Sequence, residues 1–420
     1  MLRTDLTADL RSDELAPGFV RPAWTDYTFA NVPDTVRSLF DAPARRPLPP
    51  DVFEGVDTDV DHVVCVLVDG FGWNHFLRER DNHPFLQTLS ERATVTPLTS
   101  LFPAETAAAV STFNTATQPC EHGVLGWNAY VEELGGYVQT LPFVDREGTP
   151  LGEVRDDPDI ATLIDERPMY EDLPNAVVVA PEGQGESAYS KATTTGARSV
   201  DYRNVAQAGY RVRRELAAAD GPTYVYCYFP QVDALSHYEG VASPETDAQL
   251  GSVCAAIERE IVDRLDSAVA ERTLLLVTAD HGEVDATPET RIDLGELDLD
   301  PHLRRGTDGE PIPAVGGPRN LQFYARDGHR EAIVAALESG LSMLDPLVLT
   351  REEVLDVELF GDREPSQRFL DRCPDVLVIP DEGFVWYDRG QLSYVGMHGG
   401  LHPDEMLVPF AAARVDALQG

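Results

Sequence analysis

Lysine is almost absent from this chain of 420 residues. Lys191 is the only lysine among 33 basic residues, which face 72 acidic ones, and the formal net charge is −39. Such a charge repels a phosphate backbone, so duplex nucleic acid is excluded as a bulk partner. An acidic surface with so little lysine is typical of proteins from salt-loving archaea or bacteria, where molar salt screens the repulsion between carboxylates.

Long apolar runs and paired cysteines are also missing. No run reaches the roughly 18 apolar residues of a membrane-spanning helix, so no membrane partner is expected. The segment MLRTDLTADLRSDELAPGF has no apolar core of the kind found in signal peptides, which predicts a cytoplasmic protein. The five cysteines form neither a CxxC pair nor a disulfide framework, and we expect reduced thiols with a structural role. The oligomeric state stays open.

Three hydrophobic runs end at residues of the types that bind metals. VVCVLVDG ends at Asp69, TYVYCYFPQVDALSH reaches Asp233 and His237, and TLLLVTADHG ends with Asp280 and His281 before its glycine. Unbroken apolar runs of this length favour parallel strands covered on both faces. Ligands of open α/β sheets bind outside the carboxyl ends of such strands. We therefore expect these acids and imidazoles to meet at one edge of one sheet.

The remaining pattern predicts an α/β core with an insertion. With 43% hydrophobic residues the chain can bury a large core, either as one domain with an insert or as two domains. Apolar positions recur at helical spacing over 244–271, just before TLLLVTAD, which predicts a βαβ unit. Residues 317–385 are predicted as a small α+β insert, in which DPLVLTREEVLDVELFG reads as strand, helix and strand. This leaves 1–316 and 386–420 as the catalytic core.

The candidate ligands favour a site with two metal ions. Mixed carboxylate and imidazole donors suit Zn²⁺, and also Mn²⁺ or Fe²⁺. Asp233 and His237 are four residues apart, so on a helical turn they share one face. Asp280 and His281 are adjacent and can point to two neighbouring ions. Each aspartate taken singly is also explained as a helix cap or a turn residue.

A hydroxyl that suits nucleophilic attack lies near the start of a predicted helix. SLFPAETAAAVSTF places Thr106 where backbone N–H groups and the helix dipole favour a bound anion such as phosphate. A hydroxyl beside a divalent cation ionises near neutral pH and can attack phosphorus. A role as helix N-cap is the structural alternative for Thr106.

Five motifs, taken together and in order, resemble the alkaline phosphatase superfamily. They span Asp69 to His398, and within the superfamily they are most similar to the type I phosphodiesterase/nucleotide pyrophosphatase family. The motifs are VLVDGFGW, FPAETAAAVSTFNTATQPCEHGVLGWN, FPQVDALSH, TADHGEVD and MHGGLHPDEMLVPF. The resemblance implies a three-layer α/β/α core of the alkaline-phosphatase type with a mostly parallel central sheet.

The resemblance also implies two divalent metal ions, with Zn²⁺ as the first expectation and Mn²⁺ as the second. One ion would be held by Asp69, Thr106, Asp280 and His281. The other would be held by Asp233, His237 and His398. Thr106 would attack a small phosphoester, a nucleotide among them, and form a phospho-threonine intermediate. A phosphomonoesterase, a phosphonoacetate-type hydrolase and a catalytically silent metal-binding protein are the alternatives.

The chain departs from the family pattern beside the nucleophile. Ala109 stands where nucleotide pyrophosphatases usually carry an asparagine, and Glu105 replaces a lysine. Both changes weaken any expectation of a nucleotide substrate. Asn128 resembles the asparagine after the HG motif and is a candidate substrate contact, as is Trp127, for which ordinary packing is the alternative. We expect the substrate pocket to be lined by residues 120–145 and by the acidic loop 284–316.

Overall fold

A seven-stranded, mostly parallel sheet forms the centre of the computed structural model, which describes residues 1–387 and 390–419. One strand, Leu407–Arg414, is antiparallel to both of its neighbours. The order across the sheet is Thr94–Thr99, Leu407–Arg414, Thr273–Thr278, His62–Val68, Thr223–Phe229, Val177–Pro181 and Arg198–Tyr202.

Both faces of this sheet are covered, as the unbroken apolar runs predict. Every residue of His62–Val68, Thr223–Phe229 and Thr273–Thr278 is buried, whichever face its side chain points to. One group of contacting helices comprises Pro84–Arg92, Val205–Ala217, Pro244–Ile257 and Val415–Leu418, and another comprises Val32–Ser38, Thr106–Thr115 and Ala188–Thr193. The predicted α/β class is confirmed.

A second, smaller sheet is antiparallel throughout. Its order is Leu347–Thr350, Val376–Ile379, Asn320–Phe323, Val315–Gly317, Asn128–Val131 and Gly136–Gln139. Successive residues of one strand pack against opposite faces: Leu377 lies in a cluster with Phe102 and Leu401, whereas Val378 lies in a cluster with Ile333. Asn128–Val131 and Gly136–Gln139 lie outside residues 317–385, and Val315–Gly317 crosses the boundary. The division of the chain into a core and an insert there stays a prediction.

Two predicted elements are wrong in detail. The helix predicted over 244–271 is α-helical only to Ile257; a π-helical turn, Glu258–Val262, follows, and the Asp266 side chain then caps a new short helix by accepting from the Ala268 N–H. The second strand predicted in DPLVLTREEVLDVELFG is a turn, because Glu358 has a φ of +53° and cannot continue an extended strand.

The remaining elements are short or lie at the periphery. The other helices are Asp5–Ser12, Trp73–Glu79, Pro119–His122, Leu151–Val154, Ile160–Leu163, Gln231–Glu239, Arg330–Gly340, Arg351–Asp356, Gln367–Arg372 and Pro403–Met406. Three strand pairs join Glu14–Ala16 to Phe19–Val20, Val284–Asp285 to Gly396–Met397, and Arg291–Asp293 to Phe384–Trp386. The five cysteines are buried and unpaired. Across the described ranges, every helix is too short or too polar to span a bilayer.

Candidate active site

The predicted ligands meet at one edge of the central sheet. Asp69 directly follows His62–Val68, and Asp280 follows Thr273–Thr278 after one residue. Asp233 lies in the first turn of Gln231–Glu239, the helix after Thr223–Phe229. These three strands are parallel neighbours, so their carboxyl ends share an edge, and the Asp233 N–H donates to the backbone carbonyl of Asp69.

Asp69, Asp280 and His281 form one half of the site. Their ligand atoms lie within 4.8 Å of one another. His281 Nε2 is 3.3 Å from Asp69 Oδ1 and 3.6 Å from Asp280 Oδ2, and all three residues are buried. The Thr106 hydroxyl joins them, with Oγ1 3.1 Å from His281 Nε2 and 3.4 Å from Asp69 Oδ1. This is the group of four residues that the sequence motifs predict.

Asp233, His237 and His398 form the other half. Their ligand atoms also lie within 4.8 Å of one another, and both histidine Nε2 atoms are 3.4 Å from Asp233 Oδ1. The side chains are 14%, 16% and 10% exposed, so this half is more open to solvent than the first. The rings of His281 and His398 stack with centroids 3.7 Å apart, which places the two halves side by side.

Backbone carbonyls fix the orientation of all three histidines. His237 Nδ1 lies 2.9 Å from Gly396 O, His398 Nδ1 lies 3.0 Å from Ala104 O, and His281 Nδ1 lies 3.1 Å from Gly282 O. Because a carbonyl only accepts, each Nδ1 carries the proton, and a neutral imidazole then keeps a lone pair on Nε2. That is the usual preparation of a metal-binding histidine.

The carboxylates lack the partners that burial demands. Asp233 Oδ1 and Asp280 Oδ2 are buried without a hydrogen bond among the described residues. Burial, followed by the neighbouring Asp69, raises the pKa of Asp280 well above its ordinary range. Burial also raises the pKa of Asp233, although His237 opposes the rise. A divalent cation in each half would supply the missing positive charge, so the donor set fits two metal ions.

Glu283 belongs to this site but was missed in the sequence. It accepts a hydrogen bond of 2.5 Å from Ser236 Oγ, while its other carboxylate oxygen is buried without a partner among the described residues. Burial and then Asp233 raise the pKa of Glu283 well above its usual value. Its position two residues after His281 in TADHGEVD was the available signal. Tyr228, which donates to Asp69 Oδ2, was likewise missed.

The helix Thr106–Thr115 is held at its start by a buried acidic residue. Its N-cap is Glu105, so the alternative role of Thr106 as N-cap is not observed. Glu105 is buried and accepts hydrogen bonds of 2.6 Å from the Trp127 N–H and from Asn320 Nδ2. Burial raises the pKa of Glu105 to about 7. Glu105 therefore connects the helix that begins at Thr106 to the smaller sheet.

The two predicted substrate contacts differ in position. Trp127 is 37% exposed and lines a cavity whose wall also contains Asp69, Thr106 and Asp233. Asn128 is buried in the smaller sheet, where its Nδ2 donates to Gly316 O at 3.0 Å, and its contact with substrate stays a prediction. Ala109 is fully buried on the helix Thr106–Thr115.

The cavity itself has a volume of about 460 Å³. The prediction of which segments line the cavity is partly wrong. Trp127, Leu141 and Pro142 come from residues 120–145, as expected, but the acidic loop 284–316 contributes none of the described lining residues. The opposite wall comes instead from residues 178–199, which follow or form the two strands at the far edge of the sheet. The strand order, which the sequence does not reveal, brings that edge beside Thr106.

Solved structures with the same fold include two kinds of enzyme. Murine ectonucleotide pyrophosphatase/phosphodiesterase 5, solved as an inactive form with AMP, is 16% identical with a TM-score of 0.62, over 84% of this chain and 87% of that chain. The human protein of the same name is 14% identical with a TM-score of 0.63, over 84% of this chain and 87% of that chain. Phosphonoacetate hydrolase from Sinorhizobium meliloti 1021, with phosphonoformate, is 16% identical with a TM-score of 0.59, over 86% and 95%.

These identities show the fold, and the family follows from the sequence. Among proteins of curated function, none matches this chain. The family described as type I phosphodiesterase / nucleotide pyrophosphatase matches residues 63–401, which include both halves of the site. The chain therefore belongs to the type I phosphodiesterase/nucleotide pyrophosphatase family of the alkaline phosphatase superfamily.

Proposed function

We propose that this protein is a two-metal phosphodiesterase or nucleotide pyrophosphatase that acts through a phospho-threonine intermediate. Its family indicates a phosphoester hydrolase. The observation that carries the finer proposal is the position of the Thr106 hydroxyl, 3.1 Å from His281 Nε2 and 3.4 Å from Asp69 Oδ1 at the start of a ten-residue helix.

Asp69, Thr106, Asp280 and His281 would hold one ion, and Asp233, His237 and His398 the other. Zn²⁺ suits this mixture of carboxylates and imidazoles best, and Mn²⁺ is the second choice. Bound metal would lower the pKa of the attacking hydroxyl and neutralise charge that develops on the ester oxygens. The buried carboxylate oxygens without partners support this assignment, because only a cation offsets so many negative charges.

The chain itself binds and orients the phosphoryl group. The first N–H groups of the helix that begins at Thr106 have no partner inside the helix, so they would be available to an anion bound beside the hydroxyl. Thr106 Oγ1 forms the new bond to phosphorus while the bond to one ester oxygen breaks. Water then attacks the phospho-threonine and restores the hydroxyl.

Replacement of the nucleophile tests this proposal. Thr106→Ala is expected to lower hydrolysis of bis(p-nitrophenyl) phosphate by roughly a thousand-fold or more. The exposed Thr195 offers a matched control, and Thr195→Ala is expected to retain full activity. Trapping a phosphorylated peptide that contains Thr106, by acid quench and mass spectrometry, would identify the intermediate. An active Thr106→Ala variant would refute the mechanism.

A phosphonate hydrolase is the second candidate, supported by the likeness to phosphonoacetate hydrolase, of which the alignment covers 95%. Comparison of bis(p-nitrophenyl) phosphate, p-nitrophenyl phosphate and phosphonoacetate distinguishes the activities. We expect the diester to have the highest kcat/KM. A strong preference for the monoester or for phosphonoacetate would replace the diesterase assignment with the corresponding alternative.

A further inference from the structure

The cavity beside Thr106 has an apolar wall. Val110 on the nucleophile helix, Leu141, Pro142, Val178 and Ala180 supply much of its surface. The charged residues among the described lining are Asp69 and Asp233, both of them candidate metal ligands. No described lysine, arginine or histidine lines the cavity, so its wall offers no basic side chain to pair with a second anionic group on a substrate.

Several polar side chains in this wall already have hydrogen-bond partners within the protein. The side chain of Asn114 donates to Thr193 Oγ1 and accepts from the Tyr170 hydroxyl. The Tyr189 hydroxyl is paired with Ser111 Oγ at 2.6 Å. Such internal pairing holds the wall in place and leaves these groups poorly disposed to bind a charged ligand.

One buried hydroxyl in the cavity has no partner. Tyr226 is 3% exposed, lines the cavity, and packs its ring against Phe113 with centroids 4.6 Å apart. Its hydroxyl makes no hydrogen bond to any described residue. Because an unpaired buried hydroxyl is costly, a bound group that accepts a hydrogen bond from it would be favoured.

We propose that this cavity binds an uncharged organic group of the ester substrate, which accepts a hydrogen bond from Tyr226, and that it discriminates against substrates with a second anionic group there. This inference rests on the proposed function. A volume of about 460 Å³ is enough for an aromatic or nucleoside-sized group. A carboxylate placed against this apolar wall would lose its hydration and find no lysine, arginine or histidine among the described lining residues to pair with it.

Two esters that differ by one carboxylate test the discrimination. p-Nitrophenyl phenyl phosphate and p-nitrophenyl 4-carboxyphenyl phosphate share their leaving group. We expect the holoenzyme to show a kcat/KM at least about ten-fold higher for the uncharged ester. Equal values, or a preference for the carboxylated ester, would overturn the proposal while leaving the proposed hydrolase function intact.

Tyr226→Phe tests the hydroxyl separately. For p-nitrophenyl thymidine 5′-phosphate, whose nucleoside offers acceptors, KM is expected to rise about ten-fold on loss of this hydrogen bond, with a smaller change in kcat. Tyr224→Phe is the matched control, because Tyr224 is buried two residues earlier on the same strand and does not line the cavity. An unchanged KM in Tyr226→Phe, or an equal rise in Tyr224→Phe, would show that the hydroxyl does not contact substrate.

Failure of the inference can be separated from failure of the proposed function. If the wild-type holoenzyme hydrolyses neither aryl ester, the proposed function is wrong. Calorimetric titration of the same two esters then decides the cavity: tighter binding of the uncharged ester supports its assignment, and equal or weaker binding overturns it. The unfolding temperature of Tyr226→Phe should not fall below that of the wild type, since the substitution removes a buried hydroxyl that has no partner among the described residues.

Discussion

At the residue scale, His122 is held in its neutral form. The Val124 N–H donates to His122 Nδ1 at 3.0 Å, so the ring proton lies on Nε2, which is 3.0 Å from Thr112 Oγ1. His122 is completely buried, and this burial, followed by the charges of Arg372 and Arg368, lowers its pKa to about 3. The histidine of the HG motif is thus a structural residue that packs against the helix Thr106–Thr115.

This depressed pKa predicts a loss of stability in acid. Below about pH 6.5 this histidine is protonated in the unfolded chain but stays neutral in the folded chain. The free energy of unfolding therefore falls by about 1.4 kcal/mol per pH unit on account of His122 as the pH falls toward 3. In His122→Gln, the free energy of unfolding should fall less steeply between pH 6.5 and 5, as measured by urea titration. His329→Gln, at a partly exposed position, serves as the control. Parallel slopes for wild type and His122→Gln would contradict this.

His398 should be required by only one half of the metal site. His398→Ala removes one of the three donors in the group Asp233, His237 and His398, and it leaves the group that contains Asp69 unchanged. The metal content should therefore fall from about two ions per chain to about one. Inductively coupled plasma mass spectrometry after dialysis measures the ratio. His402→Ala, four residues away, should retain about two ions. A content of two in His398→Ala would remove this histidine from the ligand set.

At the scale of elements, a buried ion pair joins the smaller sheet to the segment that carries His398. Arg319 Nε and Nη2 are each 2.7 Å from the carboxylate of Glu405, and both side chains are fully buried. The remaining Arg319 donors reach the carbonyls of Pro380, Asp381 and Gly383. Glu405 also accepts from the backbone N–H of Gly400, in the loop after His398.

Removal of one partner should be costly. Arg319→Met leaves Glu405 buried and unpaired, which is expected to destabilise the fold by about 3–5 kcal/mol. The double variant Arg319→Met/Glu405→Leu should lose less than the sum of its single variants. Arg330→Met breaks an exposed pair with Glu352 and should change stability by less than about 1 kcal/mol. Similar urea midpoints for Arg319→Met and Arg330→Met would contradict a structural role for the buried pair.

The elements that sequence predicted best are those whose signal is local. Asp69, Asp233 and Asp280 follow apolar runs, so parallel strand ends were enough to bring them together. Arg198–Tyr202 went unpredicted because this edge strand is polar and partly exposed. Its importance for the cavity depends on strand order, which is a property of distant pairing. Glu283 and Tyr226 were missed for the same reason: their unpaired polar atoms arise only from residues brought together by folding.

At the scale of the whole molecule, the net charge of −39 opposes compaction. Raising NaCl from 0.1 M to 2 M shortens the screening length from about 10 Å to under about 3 Å, so the melting temperature should rise steeply. Circular dichroism measures it, with sucrose of matched osmolality as the control for excluded-solute effects. A melting temperature that is flat in salt, or that rises equally in sucrose, would refute adaptation to high salt.

The position of Leu407–Arg414 between Thr94–Thr99 and Thr273–Thr278 has a consequence for biosynthesis. By the time a ribosome has added His281, every residue proposed to hold one of the two metal ions has been synthesised. The gap in the sheet nevertheless stays open until Leu407–Arg414 emerges. At about 5–20 residues per second, that wait is on the order of ten seconds. Throughout it, two strand edges are unpaired and the second half-site lacks His398. We therefore expect catalytic activity only after residue 414 has been translated. The nascent chain is most vulnerable to misassembly just before that point, while both strand edges are unpaired.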